Sequence, residues 1–347
     1  MMNRRKTDKR VPLPSKAFMG FLLEADGVMI LGHQHPDGDA LGSAAGLAAM
    51  LRDLGKRAVV GVSGRIPPNI SFLMDPPKYF MDVPCPAPKY FEGYGLLVYV
   101  DCHGPSRVWP EAVGWDGLPP NLVIDHHVHD EELRGALAVF HDRHASSTGE
   151  LIARLARVMG VTLPRASISP LLAAIATDTG FFSQENATSE SLREAAELVA
   201  QGGKLALLHE KLSCGYSLQR MRLLKNSLSS LRLYLGGKVA VMLLTPGMLV
   251  EAEAKLEDAD GFIEYPRALG GVLLAAFIKD DLQGGMKVSL RSRPPISAME
   301  LAKGFGGGGH ELAAAYTDRI GSPELARDRF LEAAARVFLG EGPEGPF

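Results

Sequence analysis

Cysteine is scarce: the 347-residue chain has three, Cys85, Cys102 and Cys214. They are odd in number and lack the paired spacing of a zinc motif. This argues against a disulfide framework and a thiolate metal site, and fits a reducing cytoplasm. Long apolar runs are also missing. No segment approaches the roughly 20 apolar residues that a membrane span needs. The basic start Asn3–Arg10 is not followed by a signal-type stretch and reads as a solvated tail. Nor is there an excess of one charge. The net charge of −3 argues against a broad basic nucleic-acid surface, so any phosphate recognition must be local.

What remains is an ordinary globular composition, 46% apolar and 22% charged. The length suits two domains. Over residues 15–215, apolar runs at 28–31, 57–62, 96–100 and 122–124 alternate with helical patterns at 18–25, 40–54, 168–176, 188–201 and 204–213. Ser147 and Glu150 fit a capping box opening a helix toward Gly160. Residues 64–94, rich in Pro, Phe and Tyr, read as an irregular excursion. The alternation predicts an α/β domain with a doubly wound, mainly parallel sheet. The pattern changes near residue 215. A helical linker is expected over 216–235, then a smaller mixed α+β domain over 236–341, with strands at 238–244, 272–278 and 287–290 and short helices near 297–303 and 323–338.

Chemistry gathers at the ends of the apolar runs. Val28–Leu31 leads to His33, Asp37 and Asp39; Leu96–Val100 leads to Asp101; Leu122–Ile124 leads to Asp125, His126 and His127; and Leu171–Ala176 leads to Asp178. Buried parallel strands deliver ligands at their carboxyl ends, so these clusters are expected at one mouth. Each cluster alone could be a surface loop, a hydrogen-bonded strand end or a helix cap. Their ordered succession points instead to metal. Asp37, Asp39, Asp101 and Asp178 carry four negative charges, which two divalent cations would neutralise. Carboxylates with two imidazoles suit Mn²⁺, with Mg²⁺ or Co²⁺ as alternatives.

The second half offers an anion site. Gly306–Gly309 can aim backbone amides at a phosphate, His310 adds a donor, and Arg291 can grip bidentately with Arg293 beside it. A flexible turn is the competing reading of the glycine run alone. Phe305, Tyr265 and Trp109 could stack on a base or simply pack.

Together these residues resemble the DHH phosphoesterase family, through Asp125-His126-His127, Ser146-Ser147-Thr148-Gly149-Glu150 and Thr177-Asp178-Thr179-Gly180. In the second half, Val288-Ser289-Leu290-Arg291-Ser292 and Gly306-Gly307-Gly308-Gly309-His310 resemble the DHH-associated domain, and the two-domain length is similar to the NrnA-type oligoribonucleases. The resemblance implies that His33 and Asp37 hold one cation, that Asp39, His126 and Asp178 hold the other, and that Asp101 bridges them. It implies Asp125 as a partner that orients a histidine and His127 as the group beside the reacting phosphate. Arg291, Ser292, Gly307, Gly308, Gly309 and His310 become the substrate contacts. The implied activity is metal-dependent hydrolysis of short oligoribonucleotides and of 3′-phosphoadenosine 5′-phosphate (pAp), without a membrane partner and with a homodimer as the family's assembly. Cyclic or linear dinucleotide cleavage, and a catalytically silent nucleotide or RNA sensor, remain alternatives. The chain departs from many relatives after Asp101, where an acid is usual three residues on and this chain reads Cys102-His103-Gly104, and at His35, where an asparagine is usual.

Overall fold

The computed structural model describes residues 12–112, 117–127, 135–213, 216–282, 284–319 and 321–340. The basic stretch Asn3–Arg10, Cys214 and the last residue of the expected second domain lie outside the described residues. The chain divides into two compact units between residues 215 and 216. Among the described residues no helix is long and apolar enough to cross a membrane.

The first unit is built on six strands: β1 (Gly27–Leu31), β2 (Arg57–Val62), β3 (Phe80–Asp82), β4 (Leu96–Val100), β5 (Asn121–Asp125) and β6 (Ala138–His141). They form one parallel sheet in the order β3-β2-β1-β4-β5-β6. Strand periodicity explains why the runs are apolar throughout. Val28, Ile30, Val98, Val100, Leu122 and Ile124 pack on one face, with the long helices. Met29, Leu31, Leu97, Tyr99 and Val123 pack on the other, against Val83, Phe91 and Trp109 from irregular segments. The order reverses between β1 and β4, and in such sheets ligands bind beyond the carboxyl ends at that switch point. His33 and Asp101 follow these two strands.

Two helices bring the remaining acids in. Asp37 caps the helix Gly38–Asp53, accepting from the amides of Asp39 and Ala40, so Asp39 sits in its first turn and not in the preceding loop. Gly42 and Gly46, one turn apart, face the helix Arg165–Asp178. A β-carbon at Gly42 would fall 2.5 Å from the Pro170 carbonyl, and one at Gly46 the same distance from the Leu171 side chain. The missing side chains let the helix bearing Asp39 lie close against the helix ending in Asp178. Gly42→Ala is accordingly expected to lose about 1–3 kcal/mol through overpacking against rigid backbone. A denaturant midpoint equal to wild type would show that the two helices do not need this close approach.

The second unit carries a mixed six-stranded sheet. Its strands are β7 (Arg232–Tyr234), β8 (Val239–Leu244), β9 (Leu274–Asp280), β10 (Met286–Ser292), β11 (Gly308–His310) and β12 (Ala313–Asp318). The order is β11-β12-β10-β9-β8-β7, with only the β8–β9 pair parallel. The helix Leu218–Ser229, expected as a linker, is anchored in this unit: Leu223 is fully buried with Met242, Phe262 and Phe277. The helix Pro323–Phe338 covers the other face through Ala326, Phe330 and Ala334.

Candidate metal centre

The first unit brings His33, Asp37, Asp39, Asp101, His126 and Asp178 into one cluster. Asp101 is its middle. Its Oδ2 lies 3.6 Å from His33 Nε2, and its Oδ1 lies 3.5 Å from His126 Nε2. The two oxygens therefore serve opposite sides. On the first side His33 Nε2 also stands 3.8 Å from Asp37 Oδ1. On the second, His126 Nε2 stands 3.7 Å from Asp39 Oδ2 and 3.5 Å from Asp178 Oδ2. The ligating atoms of His33, Asp37 and Asp101 lie within 4.8 Å of one another, as do those of Asp39, His126 and Asp178. Adjacent ligands of an ion at about 2.1 Å stand about 3 Å apart, so both triplets are near coordination spacing.

The imidazole tautomers fit cations. His33 Nδ1 donates to the Gln34 carbonyl at 3.0 Å, and His126 Nδ1 donates to the Ala145 carbonyl at 3.2 Å. With Nδ1 carrying the proton, the neutral ring presents the Nε2 lone pair to the carboxylates, as a metal ligand must. His126 Nε2 is buried with no hydrogen-bond partner among the described residues, an orphan that a cation would satisfy.

Electrostatics agree. Burial opposes charge on His33, yet Asp101 and Asp37 outweigh it and pull its pKa up to about 10. Burial likewise opposes charge on His126, and Asp101, Asp39 and Asp178 raise it to about 10. Asp39 is pushed well up by burial and then by Asp101 and Asp178, while burial raises Asp178 to about 6. Asp101 goes the other way: despite burial, His126 and His33 hold its carboxyl low. Asp39 and Asp101, both buried, and half-buried Asp178, with exposed Asp37 beside them, gather positive charge, and without cations that charge is protons on imidazole.

Hydrogen bonds fix the acids in place. Asp39 Oδ2 accepts from the Thr148 amide at 2.7 Å, and Asp39 Oδ1 from the Gly149 amide at 3.0 Å and the Ser43 hydroxyl at 2.9 Å. Thr148 Oγ1 donates to Asp101 Oδ1 at 3.2 Å. Asp101 itself holds a left-handed backbone, φ 59°. Non-glycine residues rarely adopt that region, and functional sites are where such strain is retained. Ser43, Thr148 and Gly149 were missed as ligand supports in the sequence reading. Ser43 had a signal, being one helical turn beyond Asp39; the amides had none.

The expected capping box is only half formed. Ser147 Oγ accepts the Glu150 amide, but the Glu150 carboxylate turns to the Ser146 amide and hydroxyl and to Arg154. A buried guanidinium draws the carboxylate more strongly than a neutral amide does.

His127 sits beside the cluster. Its Nδ1 donates to Asp125 Oδ1 at 2.9 Å, and its amide donates to the same oxygen at 3.1 Å. Asp101, His126 and His127 also have ligand atoms within 4.8 Å of one another, but the His127 atom near Asp101, at 3.5 Å from its Oδ1, is Nδ1, which gives its proton to Asp125 and so has no lone pair to offer there. His103 contacts Ser106 Oγ at 3.3 Å, and His35 Nδ1 accepts the Arg65 amide. Trp109 is packing: its indole donates to the Val83 carbonyl and its ring meets Phe91 edge-on. Phe305 stacks on Tyr316.

In the second unit Arg291 lies on β10, and its Nε donates to Glu264 Oε1 at 3.0 Å. Ser292 is buried, its hydroxyl accepting the Ala298 amide. The glycine run is partly an edge strand. Gly308 and Gly309 pair with Ala315 and Ala314. A β-carbon at Gly307 would collide with the Ala315 carbonyl, and one at Gly309 would lie 2.6 Å from the Ala313 carbonyl. Gly308 is open on its free side. Two of the three glycines expected to contact substrate are thus required by packing. His310 ends this strand, and its side chain lies outside the described residues.

Comparison with known proteins agrees with this geometry. The model of the DHH family, N-terminal domain, matches residues 27–177. The chain is 35% identical over 321 residues to the bifunctional oligoribonuclease and PAP phosphatase NrnA of Thermus thermophilus, covering 91% of each. It is 27% identical to the cyclic-di-AMP phosphodiesterase GdpP of Geobacillus thermodenitrificans, covering 98% of this chain and 52% of that protein. The crystal structure of an exopolyphosphatase-related protein from Bacteroides fragilis superposes with a TM-score of 0.82 at 25% identity, covering 93% of this chain and 96% of that one. With residues 27–177 matched and the Thermus relative 35% identical along 91% of each chain, the chain belongs to the DHH family of phosphoesterases.

Proposed function

We propose that the protein is a two-cation phosphohydrolase that degrades short oligoribonucleotides to mononucleotides and converts pAp to AMP. What carries the reading is Asp101, whose two oxygens address His33 on one side and His126 on the other. His33 and Asp37 would hold one cation, Asp39, His126 and Asp178 the second, and Asp101 both. Mn²⁺ suits this donor set, with Mg²⁺ or Co²⁺ as substitutes. When bound, the cations supply Lewis acidity to the phosphoryl group and acidify water.

The chain's own residues do the rest. Asp125 orients His127, and this hydrogen bond, with the Asp101 charge, raises the His127 pKa against burial. Held in this orientation, His127 can deliver a proton from Nε2 to the leaving oxygen. Asp39 and Asp101, clamped by Thr148 and Gly149, need no rearrangement during the reaction. In the second unit, Arg291, the open Gly308 and His310 are proposed to bind a phosphate of the substrate, with Arg291 exchanging Glu264 for it. The free thiols Cys85 and Cys102 suit a cytoplasmic enzyme.

The test compares three Mn²⁺-dependent reactions: mononucleotide release from a linear diribonucleotide, phosphate release from pAp, and linear product from a cyclic dinucleotide. Turnover of the first two supports the reading. Exclusive turnover of the third moves the chain to the cyclic-dinucleotide phosphodiesterases, and no turnover at all favours a sensor. Arg291→Ala should raise KM roughly 10-fold or more with kcat little changed, because a phosphate grip made equally in ground and transition states affects KM alone. Its stability should move by less than about 1 kcal/mol, since the pair with Glu264 is partly exposed. An unchanged KM on each substrate would remove Arg291 from the site.

A further inference from the structure

We propose that Arg154, a buried arginine that touches none of the candidate ligands, is a positioning residue that sets the cation affinity of the site. This rests on the cation reading above. The Arg154 side chain bridges two buried acids: Nη1 donates to Asp142 Oδ2 at 2.8 Å, and Nη2 donates to Glu150 Oε1 at 2.7 Å. The far oxygen of each acid holds backbone. Glu150 Oε2 accepts from the Ser146 amide at 3.0 Å and the Ser146 hydroxyl at 2.8 Å. Asp142 Oδ1 accepts from the His144 amide at 3.0 Å. One guanidinium thus pins residues 142–150 at both ends.

The segment held this way is the one that dresses the site. The Ala145 carbonyl fixes the tautomer of His126, the Thr148 and Gly149 amides hold both oxygens of Asp39, and Thr148 Oγ1 holds Asp101. The Ser146 carbonyl accepts from Asn186 Nδ2, which also donates to the Asp178 carbonyl. Three candidate ligands, Asp39, Asp101 and His126, are therefore held by this segment directly, and the Asp178 backbone is tied to it through Asn186.

A buried ion triad is a poor way to gain stability, because desolvation consumes most of the attraction. A planar two-armed fork is a good way to fix geometry, and a lysine ammonium cannot span both acids in the same manner. Partners behind metal ligands typically set affinity by about 10–100-fold. The sequence holds the local half of this device, Glu150 and Arg154 one helical turn apart. Asp142 joins only through the fold.

The experiment titrates Mn²⁺ alone into the full chain, stripped by chelator, by calorimetry well below Tm. Arg154→Lys and Asp142→Asn, both close in size to the native residues, should bind Mn²⁺ roughly 10–100-fold more weakly than wild type. Leu155→Ala, a cavity on the same helix at a fully buried position, should lower Tm while leaving affinity within about twofold. Wild-type affinity in both variants overturns the proposal. So does a Leu155→Ala chain that loses as much affinity as Arg154→Lys at an equal loss of Tm, since the effect would then be one of general stability. A wild-type chain that binds no Mn²⁺ overturns the cation reading itself, a result distinct from unmoved variants.

Discussion

Asp101→Asn should lower turnover on every substrate by roughly 10³-fold, about 4 kcal/mol of transition-state stabilisation, while the chain stays folded. The size of the effect follows from position: among the described residues Asp101 alone addresses both halves of the cluster, so its loss should weaken both proposed cation sites at once. Asparagine is the informative substitute. Asp101 has φ 59°, and asparagine tolerates left-handed backbone, whereas alanine there would add about 1–2 kcal/mol of strain. Thr148 Oγ1, 3.2 Å from Asp101 Oδ1, can donate to the amide oxygen as it does to the carboxylate. A variant with wild-type circular dichroism and wild-type turnover would remove Asp101 from the shared position. The site would then have to work with two independent cations or one.

The second large effect is on stability. Arg154→Met should destabilise the first unit by about 3–5 kcal/mol, because Glu150 and Asp142 stay buried without their shared countercharge. Adding Glu150→Gln and Asp142→Asn to that variant should recover much of the loss, since uncharged groups of similar volume do not suffer the same desolvation. Denaturant unfolding followed by circular dichroism reads both. A single variant that loses less than about 1 kcal/mol would place the triad among weak surface-like pairs, and a triple variant no better than the single would mean that the destabilisation is not electrostatic.

The parts of this molecule that could be read from sequence are those written in local, strongly patterned signals. Runs such as Val28–Leu31 and Leu96–Val100 are apolar on both faces because both faces are covered, and an acid or histidine just after such a run has to emerge at the sheet's carboxyl edge. That rule accounts for where His33, Asp101 and His126 emerge; Asp39 and Asp178 lie on helices, and the choice of these six as ligands over Asp125 and His127 is what the family resemblance implies. The four-residue β6 and six-residue β12 were not found, and neither were β3, β7 and β11, each of three residues. The three-residue strands are too short for a period to show, and β11 is mostly glycine, which has little strand preference of its own. Gly307 and Gly309 illustrate a deeper limit. Their composition suggested an open anion loop, but tertiary contact with β12 makes the absence of a side chain a packing need. The left-handed φ of Asp101 and the choice of Asp142 as the third member of the Arg154 triad are likewise decided by partners far away in the chain, where neither spacing nor residue type carries a signal. Ser292 shows the same thing in reverse: a hydroxyl in a promising motif is occupied by the Ala298 amide of its own fold.

If Asp101 joins two cation sites, the number of cations bound per chain shows it. Mn²⁺ titrated into the chelator-stripped wild-type chain, with bound metal quantified per chain, should saturate at two, and Asp101→Asn should fall below that number under the same conditions. Saturation of the wild type at one, or two ions retained with unaltered affinity in Asp101→Asn, would contradict it.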